Sequence, residues 1–167
     1  MVTITLVLLY AAACYKWGAW RNWREYYPTI LYVIIGDLIY NFVFHDHTLW
    51  LYDGLFNHTT MDIIAVFFMF PPIIILYLTH WPKSWIKQAT YVLIWASANT
   101  LFEYLSFLLN LFTYDHGWSI SWSFVLLVGA FVMIRLHYRK PLLAWPISLM
   151  LGLTTALVFG LPFDGLK

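Results

Sequence analysis

The sequence is poor in charged residues and contains a single cysteine. Charged side chains make up 10% of its 167 residues, whereas 62% of the residues are hydrophobic. A soluble domain carries roughly a quarter of charged residues, so lipid is expected to cover much of this chain. The lone Cys14 excludes an internal disulfide framework and any CxxC metal or redox motif. A formal net charge of +1 offers no basic face to nucleic acid, so no nucleic-acid partner is predicted.

Motifs of common enzyme classes are also missing. The chain contains no GxSxG nucleophile turn, no Walker loop and no dinucleotide-binding fingerprint. A function must therefore be argued from individual polar residues in an apolar chain.

Six hydrophobic runs are long enough to cross a bilayer, which requires roughly 20 apolar residues in a helix. They cover residues 2–20, 29–45, 61–80, 88–112, 119–137 and 142–162. No Lys or Arg precedes the first run, which favours a span over a signal peptide. No soluble domain or long linker fits between the runs. The prediction is one all-α domain over residues 1–167, an integral membrane bundle of six transmembrane helices in the lipid bilayer.

The distribution of charge predicts the orientation of this bundle. Eight of the nine basic residues fall in alternate connections: Lys16, Arg21, Arg24, Lys83, Lys87, Arg135, Arg139 and Lys140. The opposite side carries Asp46, Asp53, Asp115 and Asp164. Because connections rich in Lys and Arg stay in the cytoplasm, both termini are predicted to be external (N-out/C-out).

Two carboxyl groups fall inside predicted spans, where an ionisable side chain costs roughly 2.5–3.5 kcal/mol. Asp37 lies in the second span and Glu103 in the fourth. At a rise of 1.5 Å per residue, both lie about 10–14 Å below the external surface. Each belongs to a helical stripe of polar residues that climbs outwards: Asp37, Asn41 and His45 on one helix, and Asn99, Glu103, Ser106 and Asn110 on the other.

Two interpretations of these stripes remain open. Their side chains can hold helices together through hydrogen bonds. Alternatively, they form an outward-opening pocket, because both stripes lead to the histidine-rich external surface. Two buried carboxylates without a basic partner require a proton, a cation or a protonated histidine to balance them. The predicted ligand- or proton-binding set is Asp37, Asn41, Asn99, Glu103, Asn110 and His45.

Histidines are concentrated towards the same external side. Imidazole and carboxylate ligands for zinc or another divalent metal are offered by His45, His47, His58 and Asp62. A competing interpretation is that the histidines are solvated, with Thr59 as the N-terminal cap of the third span and Asp62 serving that helix end. Haem is disfavoured as a cofactor, because His80 and His137 lie at inner helix ends, where an interfacial position explains them.

Two further patterns concern helix packing. Pro71-Pro72 in the middle of the third span removes backbone hydrogen bonds and predicts a kink. Gly152, Ala156 and Gly160 recur at four-residue spacing on the sixth span. Such a face of small residues lets another helix approach closely, which predicts a helix–helix partner there.

Four segments carry a resemblance to a known family. They are residues 24–29 (REYYPT), 36–41 (GDLIYN), 57–59 (NHT) and 136–145 (LHYRKPLLAW). Together they resemble a family of small multi-pass membrane proteins of spore-forming Gram-positive bacteria that is named after a clostridial locus tag. The resemblance extends over nearly the whole chain and implies a location in the bacterial cytoplasmic membrane. It implies no activity and supplies no catalytic residues.

Three functions are compatible with these patterns. The first is binding or transport of a proton, a cation or a small polar ligand through the pocket around Asp37 and Glu103. The second is an intramembrane metalloenzyme acting on a lipid-like substrate, with His58 and Asp62 at its centre. The third is a structural or assembly partner in a membrane complex, docked through the face that contains Gly152.

Overall fold

The computed structural model describes residues 2–52 and 57–162, and all of their side chains except those of Val2 and Thr3. Asp53 and Asp164, which contribute to the predicted orientation, lie outside the described residues. Seven α-helices are present in the described part of the chain: α1 (Val2–Trp17), α2 (Trp23–Val43), α3 (His58–Ile64), α4 (Phe70–Thr79), α5 (Trp85–Leu108), α6 (Ile120–Arg139) and α7 (Pro141–Val158). A 3-10 turn, Trp20–Asn22, leads into α2.

A π-helical segment, Ala65–Met69, joins α3 to α4, so each predicted hydrophobic run corresponds to one helical rod. Four rods are long and apolar enough to cross a membrane: Trp20–Val43, His58–Thr79, Ile120–Arg139 and Pro141–Val158. The apolar part of α1, Ile4–Trp17, is shorter, and α5 has 24 residues. The chain is therefore a helical protein with at least four candidate membrane spans.

Helix α4 lies at the centre of the packing. All residues from Ile73 to Leu78 are buried, and Tyr77 is 0% exposed. The Tyr77 hydroxyl donates a hydrogen bond of 2.9 Å to the carbonyl of Phe131 in α6. In turn, the Tyr91 hydroxyl of α5 donates to the Tyr77 carbonyl at 3.1 Å. Helices α1 and α2 pack against the same rod, so α4 is surrounded on all sides by the chain itself.

The irregularity predicted at Pro71-Pro72 takes the form of the π-helical segment just before them. Neither proline has an N–H group with which to bond the carbonyl one turn back. Ala65–Met69 widens to a π turn, and the two prolines then occupy the first positions of α4, where a missing N–H group is tolerated.

Two short strands close one end of the molecule. β1 (Trp50–Tyr52) pairs antiparallel with β2 (Phe112–Tyr114), with Trp50 opposite Tyr114 and Tyr52 opposite Phe112. The pair joins the connection between α2 and α3 to the connection between α5 and α6. We call this the acidic end, because Asp46 and Asp115 lie there.

The connections with the basic residues meet at the opposite end, which we call the basic end. The backbone N–H of Ala19, between α1 and α2, donates to Thr79 Oγ1 at the end of α4 at 3.2 Å. The Tyr138 hydroxyl of α6 donates a hydrogen bond to Glu25 Oε1 in α2. Three chain connections are thus fixed at one level by side-chain hydrogen bonds.

The stripe of small residues on α7 does not form one continuous exposed face. Gly160 lies beyond the end of the helix at a φ of 67°, and the Leu161 N–H returns to the Ala156 carbonyl at 2.9 Å. This is the αL turn that commonly ends helices. Ala156 is 3% exposed and packs against the chain's own Phe44 and Leu161. Of the predicted docking residues, Gly152 alone lies exposed on the helix.

His137 lies in the last turn of α6 and is buried against the chain's own residues. Its side chain shares a hydrogen bond of 3.1 Å between Nδ1 and Thr29 Oγ1, and its ring stacks on Tyr32 at 4.1 Å. The Thr29 side chain lies one helical turn before Tyr32 and makes this buried position possible. Side chains of α2 therefore surround the imidazole of His137.

Candidate functional site

The side chain of Asn41 holds two carboxyl groups together inside the helical region. Its Nδ2 donates to Asp62 Oδ2 at 2.7 Å and lies 3.1 Å from Asp37 Oδ2. Asp37 and Asn41 are one turn apart on α2, whereas Asp62 comes from α3. The two carboxyl groups are also close enough to share a hydrogen bond with each other. The partner of Asp37 is thus Asp62, across the contact between α2 and α3.

Asp62 is free for this role because another residue caps α3. The N-terminal cap is Asn57, whose side-chain oxygen accepts the Thr60 N–H at 2.8 Å. Thr59 lies inside the first turn, so its predicted role as the cap is wrong. An Asn side chain satisfies the unpaired N–H groups of a first turn well, which leaves the Asp62 carboxyl to face α2.

His58 and Tyr52 lie beside the pair. The backbone N–H of Tyr52 donates to His58 Nδ1 at 3.2 Å, and the two rings stack at 5.6 Å. Burial raises the pKa of Tyr52, and the negative charges of Asp62, Asp37 and Glu103 raise it further, in that order. Tyr52 of β1 therefore lies within the electrostatic reach of all three carboxyl groups.

Glu103 has its own set of hydroxyl partners. The Tyr114 hydroxyl, presented by β2, donates to Glu103 Oε1 at 2.7 Å. Burial raises the pKa of Tyr114, as do the hydrogen bond to Glu103 and its charge. Ser123 of α6 lies beside this pair and accepts the Trp118 indole N–H at 2.8 Å. The Glu103 carboxyl is thus held by neutral donors from a strand and a neighbouring helix.

The predicted pocket around Asp37 and Glu103 is divided into two carboxyl sites. No hydrogen bond joins Asp37 to Glu103 in the described part of the chain, and Tyr52 is the residue near both. The sequence placed the two carboxyl groups at a similar depth. Helical spacing alone gave no information on which helices are neighbours.

The other predicted pocket residues have local partners. Asn99 accepts the Tyr10 hydroxyl at 3.3 Å and donates to its own helix at the Trp95 carbonyl at 2.8 Å, so it links α5 to α1. Asn110 lies past the end of α5 at a φ of 55° and forms the turn that ends that helix. His45 is exposed, and its Nε2 lies 2.7 Å from Asp46 Oδ2.

The four predicted metal ligands are not brought together. His47 Nε2 donates to the Phe159 carbonyl at 2.8 Å, and its ring lies 3.6 Å from that of His116. His58 and Asp62 belong to the site on α3, apart from the two histidines of the connection. No three His, Cys, Asp or Glu side chains are arranged to hold a metal ion within residues 2–52 and 57–162. The set His45, His47, His58 and Asp62 is therefore not a single centre in this fold.

The carboxyl pair has no Lys or Arg partner among the described residues, and His58 is a base that acts electrostatically on Asp62. Among the residues that the structure describes, the close ion pairs are those of His45 with Asp46 and of His116 with Asp115, and none involves Lys or Arg. Eight basic residues lie in the connections of the other end or in the helix ends next to them. If both carboxyl groups were ionised, no Lys or Arg would balance them, so the counter-charge would be a proton, a cation or a protonated histidine.

Sequence reasoning did not identify Tyr52 and Tyr114 as site residues. Both lie in three-residue strands and both resemble ordinary aromatic residues of a membrane interface. Aromatic residues are favoured in strands, and this was the only available signal.

No family model, no curated protein and no solved structure matches this chain.

Proposed function

We propose that the chain is a six-span membrane protein with both termini outside, located in the cytoplasmic membrane of a bacterium. The four long apolar helices support this, as does the meeting of the basic connections at one end. Loops rich in Lys and Arg remain in the cytoplasm. The resemblance to multi-pass proteins of spore-forming bacteria supports the same location.

Within this membrane protein, the pair of Asp37 and Asp62 binds one proton or one small monovalent cation and serves binding or transport of that ion. The observation that carries the proposal is the Asn41 amide, which donates to Asp62 and lies beside Asp37 without adding charge. Two carboxylates this close in a medium of low dielectric constant repel each other, so both cannot stay ionised without a counter-charge. A shared proton or a bound cation supplies that charge.

The histidine on α3 supports exchange of the ion with the acidic end. His58 precedes Asp62 by four residues and shares its helix face. Because His58 Nδ1 accepts the Tyr52 N–H, the neutral ring carries its proton on Nε2. That Nε2 is buried and has no hydrogen-bond partner among the described residues. It can pass its Nε2 proton to a neighbouring carboxylate if Nδ1, released from the Tyr52 N–H, takes up another proton from the acidic end.

Infrared spectroscopy of the purified chain tests the bound species, since a protonated carboxyl group absorbs at a different frequency from an ionised one. Wild type at neutral pH is compared with Asp37→Asn and Asp62→Asn, in choline buffer with and without Na⁺ or K⁺. Asp46→Asn is the matched control, because the Asp46 side chain is 80% exposed. Glu103→Gln shows how much of the infrared absorption comes from the separate Glu103 carboxyl.

We expect a carboxylic-acid band in wild type that both pair variants lose and that Asp46→Asn keeps. Disappearance of the band on addition of Na⁺ or K⁺ would identify a cation, and persistence would identify a proton. A wild-type spectrum without a band of the pair in either buffer would contradict the proposal.

A flux measurement separates an ion site from a structural contact. Wild type reconstituted in vesicles is expected to move protons or the identified cation across the bilayer, or to bind it, and Asp37→Asn is expected to lose this property. If the double variant Asp37→Asn/Asp62→Asn behaves like wild type in both assays, the pair only holds α2 against α3. Co-purification of a defined protein would then favour the role of an assembly partner.

A further inference from the structure

A cleft of about 450 Å³ opens at the basic end, between the α4–α5 connection and the end of α6. This volume falls in the range of roughly 300–1,000 Å³ that is usual for ligand sites. No Asp or Glu is part of its lining. Its polar and aromatic wall consists of Trp81, Lys83, Gln88, Arg135, Tyr138 and Arg139.

The three cations of this cleft lack counter-charges. Lys83, Arg135 and Arg139 form no ion pair in the part of the chain that the structure describes. Arg135 and Arg139 are one turn apart on α6, so their like charges repel each other. Glu25 hydrogen-bonds Tyr138 of the wall and keeps its own charge, but it forms no ion pair with these cations among the described residues. An anion bound in the cleft would remove this repulsion.

Two of the wall elements are held in place before any ligand binds. The Arg135 guanidinium lies 4.9 Å from the ring centre of Trp81 and 5.4 Å from that of Tyr138, so aromatic faces fix it on two sides. The Gln88 amide donates to the carbonyls of Pro82 and Lys83 at 2.9 and 3.3 Å. It thereby fixes the connection that carries Lys83, which reduces the entropy lost on binding.

We propose that this cleft binds a phosphate group, with Arg135, Lys83 and Arg139 as its ligands. Guanidinium groups recognise phosphate oxygens through paired N–H donors, and a lysine adds a point charge. Leu78 and Pro82 complete the wall with apolar surface. A cationic and aromatic cleft at the level of a membrane surface suits the headgroup of an anionic phospholipid. This site is independent of the carboxyl pair at the other end of the helices.

The test measures binding to the full chain in a neutral detergent, by native mass spectrometry and by thermal unfolding. One arm adds phosphatidylglycerol, a second adds phosphatidylcholine and a third adds inorganic phosphate without lipid. The variants are Arg135→Gln and the double variant Lys83→Gln/Arg139→Gln. The double variant changes only exposed side chains, so it is expected to fold even if Arg135→Gln does not. Lys87→Gln is the matched control, an exposed lysine of α5 outside the lining.

Wild type and Lys87→Gln are expected to bind phosphatidylglycerol about tenfold more tightly than the cleft variants do. Stabilisation of wild type by inorganic phosphate, lost in the cleft variants, would assign the site to a soluble phosphate instead of a lipid. The proposal would be overturned if the double variant bound phosphatidylglycerol and inorganic phosphate as tightly as wild type does. It would also be overturned if wild type bound phosphatidylcholine and phosphatidylglycerol equally tightly and inorganic phosphate had no effect.

Discussion

Asn41 and Asp62 are joined by a hydrogen bond of 2.7 Å between α2 and α3, and Asn41 also lies 3.1 Å from the Asp37 carboxyl. A neutral donor placed between two carboxyl groups stabilises whichever of them is ionised. Because the amide carries no positive charge, it does not determine whether the pair binds a proton. The amide therefore fixes the geometry of the pair and leaves its charge state free to change.

The first prediction concerns this amide. Asn41→Leu keeps the branched shape and the number of heavy atoms of the side chain and removes its donor, so a half-buried carboxyl loses a hydrogen bond. We expect the free energy of unfolding to fall by about 1–3 kcal/mol, measured by denaturant titration in detergent. Thr154→Val is the control, because Thr154 bonds only the Met150 carbonyl of its own helix at 2.8 Å. Equal losses in both variants would show that the amide does not hold the pair together.

The second prediction concerns the hydroxyl that holds Glu103. Tyr114→Phe removes the donor at 2.7 Å from Glu103 Oε1 while keeping the ring that stacks on Phe107. A loss of about 1–3 kcal/mol in the free energy of unfolding is expected, since the half-buried Glu103 carboxyl loses the Tyr114 donor.

A double-mutant cycle separates this hydrogen bond from other effects of Tyr114→Phe. In a Glu103→Gln background the carboxylate is absent, so Tyr114→Phe is expected to be less destabilising than in wild type. Tyr104→Phe, at a position that is 43% exposed, is expected to have little effect. A cycle without coupling would contradict the contact between Tyr114 and Glu103.

The sequence was sufficient to predict the helical rods and the position of Asp37, because hydropathy and four-residue spacing are local properties. It paired Asp37 with Asn41 correctly for the same reason. The contact with Asp62 depends on which helix packs beside α2, and no local pattern contains that information. Asp62 was predicted only as a metal ligand or as a residue that serves the start of α3. The cap of that helix is Asn57, and the sequence also contains Thr59 as a plausible cap one turn before Asp62.

Residue spacing also predicted a longer polar stripe on α5 than the structure contains. Asn99, Glu103 and Asn110 recur at intervals that a regular helix would place on a similar face. The helix ends at Leu108, however, and Asn110 turns into the left-handed region beyond it. Asn99 bonds Tyr10 on α1, whereas Glu103 bonds Tyr114 of β2. Helix ends and strand pairing are decided by three-dimensional contacts, which explains why one predicted pocket became separate sites.

The third prediction concerns the buried His137. Its Nδ1 lies 3.1 Å from Thr29 Oγ1, and 5% of the residue is exposed. Thr29→Val keeps the shape of the side chain but leaves the imidazole nitrogen unpaired, which is expected to lower the free energy of unfolding by about 1–3 kcal/mol. Thr90→Val changes an exposed threonine that bonds only the Ile86 carbonyl on its own helix. A similar loss in the two variants would argue against a hydrogen bond between Thr29 and His137.

The fourth prediction compares two glycines of the small-residue stripe, for which opposite signs are expected. Gly160 has a φ of 67°, and no described residue lies within 4 Å of an added Cβ, so the expected penalty of Gly160→Ala is conformational. We expect a loss of about 1–2 kcal/mol, because an L-residue is strained in the left-handed region. Gly152 lies inside α7 and also faces open space, so Gly152→Ala is expected to stabilise the helix by about 0.5–1 kcal/mol.

The sign at Gly152 also tests the predicted docking face. If a second helix packs closely on Gly152, the added methyl group would prevent that approach. Gly152→Ala would then weaken an oligomer or a complex, which size-exclusion chromatography with light scattering would detect. We expect an unchanged molar mass and a more stable chain, because the other two members of the stripe are engaged elsewhere. Ala156 is buried against Phe44 and Leu161, and Gly160 forms the turn after the helix. Gly152 is then the one member of the stripe that remains exposed inside α7 for the close approach of a partner helix.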